Sequence, residues 1–256
     1  MEHSFLDKYS ERDSFLHRLD PRAKIIALLG FIVLIVLTPP AEFIIFAQYG
    51  LIILALIFIS RLPLVFILKR ALLVIPFALM ITIFIPFLKS GRIAFTLDLH
   101  LAHLRVTYEG LIICWNVLVK SVSSVLLLTI LISTTRFSAL LKGLEYLKVP
   151  RVMIILVSFM YRYLFVMIDE AEHMQRARTA RWFGGYIIRQ IRVVGNMVAL
   201  LFIRTYERSE RIYTAMLARG FDGRIRLMHK LKLNLRDAGF VIIMLLLIIV
   251  IWSQYL

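Results

Sequence analysis

Long apolar runs are what most constrain this chain. Four lie at roughly 24–38, 42–60, 63–88 and 108–134, and a fifth, 237–255, comes near the end. A bilayer-spanning helix needs about 17–25 predominantly apolar residues. Inside the hydrocarbon every backbone N–H and C=O must be satisfied within the protein, which leaves helices as the form such runs can take. A soluble domain of 256 residues could not bury a chain that is 61% hydrophobic. The expected class is therefore an all-α integral membrane protein with about five transmembrane helices.

The first 20 residues carry Glu2, Asp7, Lys8, Glu11, Arg12, Asp13 and Arg18, so no cleavable signal peptide is expected. The lone cysteine, Cys114, sits in an apolar run, which excludes a disulfide framework and a cysteine metal cluster. Charge is unevenly spread. Between Arg136 and Arg236 stand nineteen Lys and Arg against seven Asp and Glu, most of the net +15. By the positive-inside rule this is the cytoplasmic region. Nucleic acid is not an expected partner, because no stacking aromatics or recognisable module accompany the charge. Alternation then places the N-terminus and 61–70 inside and 38–42 and 89–107 outside. Lys89, Arg92 and Arg105 are the exceptions to the charge rule. Loop 89–107 alternates apolar and polar residues through Ile93, Phe95, Leu97, Leu99 and Leu101, which predicts a short extended or hairpin segment.

The run 152–168 is as long as a span but carries Arg162 near its middle and continues into "DEAEHMQRARTAR" with no helix breaker. A central arginine costs about 2.5–3.5 kcal/mol on insertion scales. The reading is one long helix, about Pro150 to Trp182, lying under or along the membrane. Pro150 suits its first turn and Gly184-Gly185 its end. A second long helix runs from about Ile188 to Arg219 and ends at Gly220. Each is roughly 50 Å long. Residues 136–150 read as a short amphipathic helix before them.

These two helices end in the same pattern. At an offset of 38 residues, Asp169 falls on Glu207, Glu172 on Glu210, Ala177 on Ala215, Ala180 on Ala218, Arg181 on Arg219 and Phe183 on Phe221. Alanines three apart share one helical face and let another backbone approach closely. The arginine presents a planar fork suited to a carboxylate. A helix-end arginine beside alanines is ordinary in a single copy, favoured by the helix dipole. Two aligned copies on equally long helices suggest two similar acceptors, such as a dimeric cytoplasmic partner.

The chain carries no phosphate-binding loop, for no Gly is followed by Lys, and no H-E-x-x-H pair. Asp98, His100 and His103 in "DLHLAH" could meet a metal cation on the outer side, although such clusters are more often polar loop chemistry. Asp169, Glu170 and Glu172 are the carboxylates that a membrane-embedded enzyme would use. Arg162, Arg176 and Arg178 beside them favour structural ion pairs. A channel would need recurring polar residues in the spans, which offer little beyond Asn116, Lys120, Ser121, Ser123 and Ser124, so that reading is not favoured.

Over essentially its whole length the chain resembles the transmembrane coupling (T) components of energy-coupling factor transporters, the CbiQ/EcfT family. The carriers are "LHRLDPRAK" (16–24), "FMYRYLFVMIDEAEHMQRARTAR" (159–181) and the paired motifs at 180–182 and 218–220. Ala218-Arg219-Gly220 matches the family motif fully, whereas Trp182 replaces the glycine expected in the first copy. The resemblance implies a non-catalytic subunit with one short and two long cytoplasmic coupling helices. It implies a four-helix membrane domain (1–135), a coupling domain (136–235) and a last transmembrane helix (236–256). Ala180, Arg181, Trp182, Ala218, Arg219 and Gly220 would dock two ABC-type ATPase subunits, which hold the ATP and Mg²⁺; the chain itself would hold no cofactor. Asp169, Glu172, Ala177, Glu207, Glu210 and Ala215 would support those ends. Met153, Phe159, Met160, Tyr161, Tyr163, Phe165 and Met167 would offer a pliable surface to a substrate-binding (S) membrane subunit. The run "MYRYLFVMIDEAEHMQRAR" (160–178) is most like the cobalt-type branch, with nickel or vitamin transport as alternatives. The implied location is the cell membrane of a prokaryote, with lipid as the surrounding partner.

Overall fold

The structure is a computed structural model that describes residues 14–40, 42–89, 92–99, 102–181, 186–222 and 235–253. Its elements, in chain order, are α1 (Phe15–Arg18), α2 (Pro21–Leu37), α3 (Phe43–Ser60), α4 (Leu64–Thr82), α5 (Ile85–Leu88), β1 (Ile93–Leu99), β2 (Ala102–Thr107), α6 (Tyr108–Ser133), α7 (Phe137–Tyr146), α8 (Arg151–Ala180), α9 (Ile187–Ala218) and α10 (Leu235–Ser253). They fall into two compact units. Lys148–Lys230 holds α8 and α9; Glu2–Leu147 with Leu231–Leu256 holds the rest.

The molecule is an all-α integral membrane protein apart from one hairpin. Among the described residues, five helices are long and apolar enough to cross a bilayer: α3, α4 continued through α5, α6, α8 and α10. Set against the five runs read from sequence, α8 joins by length and composition. The α2 helix, 17 residues long, stands at the short end of the range. The 63–88 run is not one straight helix. Pro76 lies inside α4, and Ile83 and Phe84 separate α4 from α5, which starts with Pro86 in its first turn. The hairpin expected at 89–107 is present as antiparallel β1 and β2, with an irregularity between Ile93 and Phe95.

In the membrane unit α2 is the central helix, packing against α6, α7 and α10. Phe31, Leu28, Ile35, Leu127 and Ile130 are fully buried. Tyr49 of α3 closes that core edge-on to Phe31 at 5.4 Å, and its hydroxyl meets Thr38 Oγ1 at 2.9 Å. The opposite faces of α3 and α4 expose Ile44, Phe58, Leu68, Met80 and Ile81, side chains suited to lipid.

Polar side chains fasten the two ends of this bundle. At one end Asp20 caps α2, its carboxylate accepting the Arg22 N–H at 2.9 Å, with Pro21 at the first helical position. The Asp20 N–H donates to Asp237 Oδ1 of α10 at 2.8 Å. Lys24, 1% exposed, donates to the Thr134 carbonyl at 3.0 Å, the His17 carbonyl at 3.4 Å and Thr135 Oγ1 at 3.5 Å. An ammonium has three protons, and here each has an acceptor. At the other end Lys120 of α6 donates to the Val36 and Thr38 carbonyls at 2.7 and 2.5 Å, a cation on the carbonyl terminus of α2. Asn116 reaches the Pro39 carbonyl at 3.5 Å. Lys120 and Asn116 are therefore occupied at the carbonyl end of a neighbouring helix. The hairpin joins the bundle at this second end: Thr107 donates to the Lys89 carbonyl at 2.6 Å. Gly110 admits the α5 turn so closely that a Cβ there would lie 2.5 Å from Pro86 Cα.

Asp237→Ala is expected to destabilise the membrane unit by about 3 kcal/mol, because it leaves a buried N–H without its acceptor and takes a carboxylate from beside the Lys24 ammonium. Thermal unfolding in detergent reads the change. An unfolding midpoint equal to that of the unaltered chain would contradict the role given to this contact.

Candidate docking site on the paired long helices

The second unit is built from α8 and α9, of 30 and 32 residues, close to the bounds that sequence suggested. Apart from their arginines, both begin apolar and finish charged. Along α8 the aromatics pair one turn apart: Phe159 stacks on Tyr163 at 6.2 Å, and Tyr161 meets Phe165 edge-on at 5.3 Å. Arg162, the charge inside this apolar part, lies 5.9 Å from the Tyr163 ring.

The helices meet at mid-length. Thr205 Oγ1 of α9 lies 3.1 Å from Met167 Sδ of α8, and Arg204 forms an ion pair with Glu170. Met167 and Thr205 are 38 residues apart, the offset of the sequence repeat, so the helices touch at equivalent positions. From this contact to Arg181 is fourteen residues, and from Thr205 to Arg219 is also fourteen. Each arm is therefore about 21 Å long.

The expected site residues occupy the far ends of these arms. Ala180 is the last residue of α8 and Arg181 its cap, the Arg181 N–H donating to the Arg178 carbonyl at 3.1 Å. Ala218 is the last residue of α9 and Arg219 its cap, with the same bond to Met216 at 3.1 Å. Ala177, Ala180, Arg181, Ala215, Ala218 and Arg219 are all exposed. Gly220 has φ +77, in the left-handed region. Its N–H donates to the Leu217 carbonyl at 2.9 Å, and the Phe221 N–H to the Met216 carbonyl at 3.1 Å. These two bonds make a Schellman end, in which glycine avoids a Cβ clash. Trp182, at the matching place in the first copy, lies outside the described residues, as do Gly184 and Gly185.

The supporting carboxylates are spread along both helices. Glu172 pairs with Arg176 at 3.1 Å and Glu207 with Arg211 at 3.8 Å, each one turn onward on its own helix. Such exposed pairs are worth about 0.3 kcal/mol. Asp169 is half-buried, and Glu210 is exposed, its backbone carbonyl accepting from Thr214 Oγ1 at 3.0 Å. Glu170 and Glu172, which an enzyme reading would have made catalytic, are each paired with a guanidinium. Among the described residues no group of three His, Cys, Asp or Glu is placed to hold a metal. The register sets Asp98 opposite His103 across the hairpin, while His100 is outside the described residues. What sequence reading missed is the mid-helix contact. Its signal was available: Met167 and Thr205 superpose under the same offset as the motifs.

The sequence profile of the CbiQ family, described as cobalt transport protein, matches residues 12–233. An uncharacterized protein of Methanocaldococcus jannaschii is 30% identical over 94% of this chain and 83% of its own length. The energy-coupling factor transporter transmembrane protein EcfT of Listeria innocua is 29% identical over 87% of this chain and 86% of its own. A putative fused cobalt transport protein CbiMQ of Methanocorpusculum labreanum is 31% identical over 47% of this chain and 20% of its own length.

Gly220→Val puts a β-branched residue at a left-handed position, which costs about 1–2 kcal/mol locally. The last turn of α9 should fray, seen as faster amide hydrogen exchange at residues 219–221. Gly220→Asn should keep most of the protection. Unchanged exchange in the valine variant would mean that the helix end does not depend on this geometry.

Proposed function

The chain belongs to the CbiQ family of cobalt transport proteins, and from that premise we propose that it is the transmembrane coupling subunit of an ATP-driven importer of Co²⁺. In this reading the chain is a transporter membrane subunit and performs no catalysis. ATP and Mg²⁺ are held by two ABC-type ATPase subunits at its cytoplasmic face. A separate membrane subunit binds the metal, which supplies cobalamin synthesis. Relatives named as energy-coupling factor transmembrane proteins and a fused cobalt transport protein support it. The observation that carries it is the pair of equal arms: two motif-bearing helix ends, each fourteen residues from a contact between equivalent positions. Two equal arms suit two equivalent motors.

The physics of coupling follows from this arrangement. Ala177 and Ala180, like Ala215 and Ala218, leave a shallow strip that admits a partner's backbone. Arg181 and Arg219 offer forked donors to partner carboxylates or carbonyls. When ATP binding draws the ATPases together, the docked ends move with them. A long helix bends little, so the displacement is carried to mid-helix, where Glu170–Arg204 and Met167–Thr205 hold α8 to α9. The apolar parts of both helices then shift against the substrate-binding subunit. Methionine and aromatic side chains tolerate such sliding because they repack at small cost. The basic region 136–236 lies in the cytoplasm, the N-terminus inside and the C-terminus outside, as the distribution of Lys and Arg supports. Residues 136–235 form the coupling domain between the membrane parts 1–135 and 236–256.

Arg181→Glu/Arg219→Glu should abolish ATPase co-purification from mild detergent and reduce uptake of radioactive Co²⁺ to background, with membrane insertion unchanged. Wild-type uptake by the double variant would sink the docking assignment. Mass spectrometry of the wild-type complex tests the substrate: a metal-binding membrane partner supports cobalt, with Ni²⁺ uptake measured beside it. Several exchangeable vitamin-type partners would instead make the chain a shared vitamin-transport subunit.

A further inference from the structure

At the end of the membrane unit where α2 and α10 begin, an open cavity of about 760 Å³ lies among α1, α3 and α10. Three arginines from three elements line it: Arg18 closing α1, Arg61 capping α3 and Arg236 in the first turn of α10. All three are exposed. Ser14 and Asp237 also line the cavity. Ser14 Oγ is 2.7 Å from His17 Nδ1, and Asp237 accepts the Asp20 N–H and acts on the Lys24 ammonium. The remaining wall is apolar: Leu19 is buried, whereas Phe15 is 52%, Phe58 74% and Ile59 45% exposed.

Arg61 is informative for a second reason. Its φ is +53, one of only two non-glycine residues with positive φ among the described residues. The left-handed region costs an ordinary residue about 1 kcal/mol or more, and glycine would relieve that cost. A general need for positive charge on this side of the membrane is met by Lys69 and Arg70 on the regular helix α4 without such strain. Strained side chains persist where their placement is used.

The geometry points to a binding site for an anionic phospholipid. The phosphate of the headgroup sits among Arg18, Arg61 and Arg236, and the glycerol and upper acyl carbons lie against Phe58 and Ile59. Guanidinium forks match phosphate oxygens in pairs. Basic pockets between transmembrane helix ends are where anionic headgroups bind. The apolar wall separates this ligand from free phosphate, which would leave Phe58 and Ile59 uncovered. The inference rests on the chain spanning a membrane and is independent of what it transports.

The test uses the full chain, delipidated in a neutral detergent and titrated with short-chain phosphatidylglycerol, phosphatidylcholine or inorganic phosphate, with bound lipid counted by native mass spectrometry. Phosphatidylglycerol should bind with a finite count and outcompete phosphatidylcholine. Removing each arginine should weaken it about fivefold. Arg61→Gly is the decisive variant, because it relaxes the backbone and should unfold no earlier than the unaltered chain while losing lipid affinity. Lys69→Gln removes a charge outside the cavity and should leave affinity within twofold. An equal loss from Lys69→Gln would overturn the site in favour of a diffuse surface potential. Competition by inorganic phosphate as strong as by the lipid, or undiminished lipid binding in Arg61→Gly, would also overturn it.

Discussion

The ammonium of Lys24 holds one end of the membrane unit together. It is enclosed by the Thr134 carbonyl at the end of α6, the His17 carbonyl of α1 and the Thr135 hydroxyl, with the carboxylates of Asp20 and Asp237 close by. A charge this deeply buried is tolerable only when every proton has an acceptor and opposite charge is near. The requirement sets where α2 starts, where α6 stops and where α10 enters. With those three ends joined, α2 must run through the centre of the bundle, and its far end must meet α6 again at Lys120 and Asn116. Removing any one partner strands the others in low dielectric, so the polar knot and the apolar core are mutually dependent.

The long-helix unit solves a different problem. Its helices cannot be held by broad burial, since most of their surface is exposed, and they are fixed to one another by a few mid-helix contacts. That makes them rods with free ends. Residues at these ends do little for the fold: Ala177, Ala180, Ala215 and Ala218 are exposed, and Arg181 and Arg219 serve as helix caps that any residue could supply. Gly220 alone has a local structural duty, through its positive φ. Exposed side chains repeated at matched distances are what the proposed docking rests on.

Much of this was legible in the one-dimensional pattern, because membrane spans and long charged helices leave strong periodic signals. The bounds of α8 and α9 and the helix end at Gly220 follow from proline, glycine and charge placement, and the hairpin near 93–107 from the alternation of apolar and polar residues. Less legible were the features that depend on contact between distant positions. The stretch "LHRLDPRAK" showed its acids and bases, but nothing in it told that Lys24 faces inward to a carbonyl 110 residues away. Lys120 and Asn116 stood out as polar residues in a span, but nothing in the sequence told that their partners are the carbonyls of 36–39. The division of the 63–88 run into α4 and α5 was missed because Pro76 and Pro86 are compatible with either a kink or a break.

By itself the sequence determined the class, the approximate bounds of the two long helices, the repeat and the resemblance to a coupling subunit, since hydropathy, periodicity and helix-end chemistry are local properties of the chain. Only the tertiary structure decided which polar side chains are structural, that Met167 meets Thr205 so that the two arms are equal, and that Arg18, Arg61 and Arg236 converge on one cavity. Those outcomes depend on the through-space satisfaction of hydrogen bonds and charge, and linear spacing does not encode which distant group will supply it.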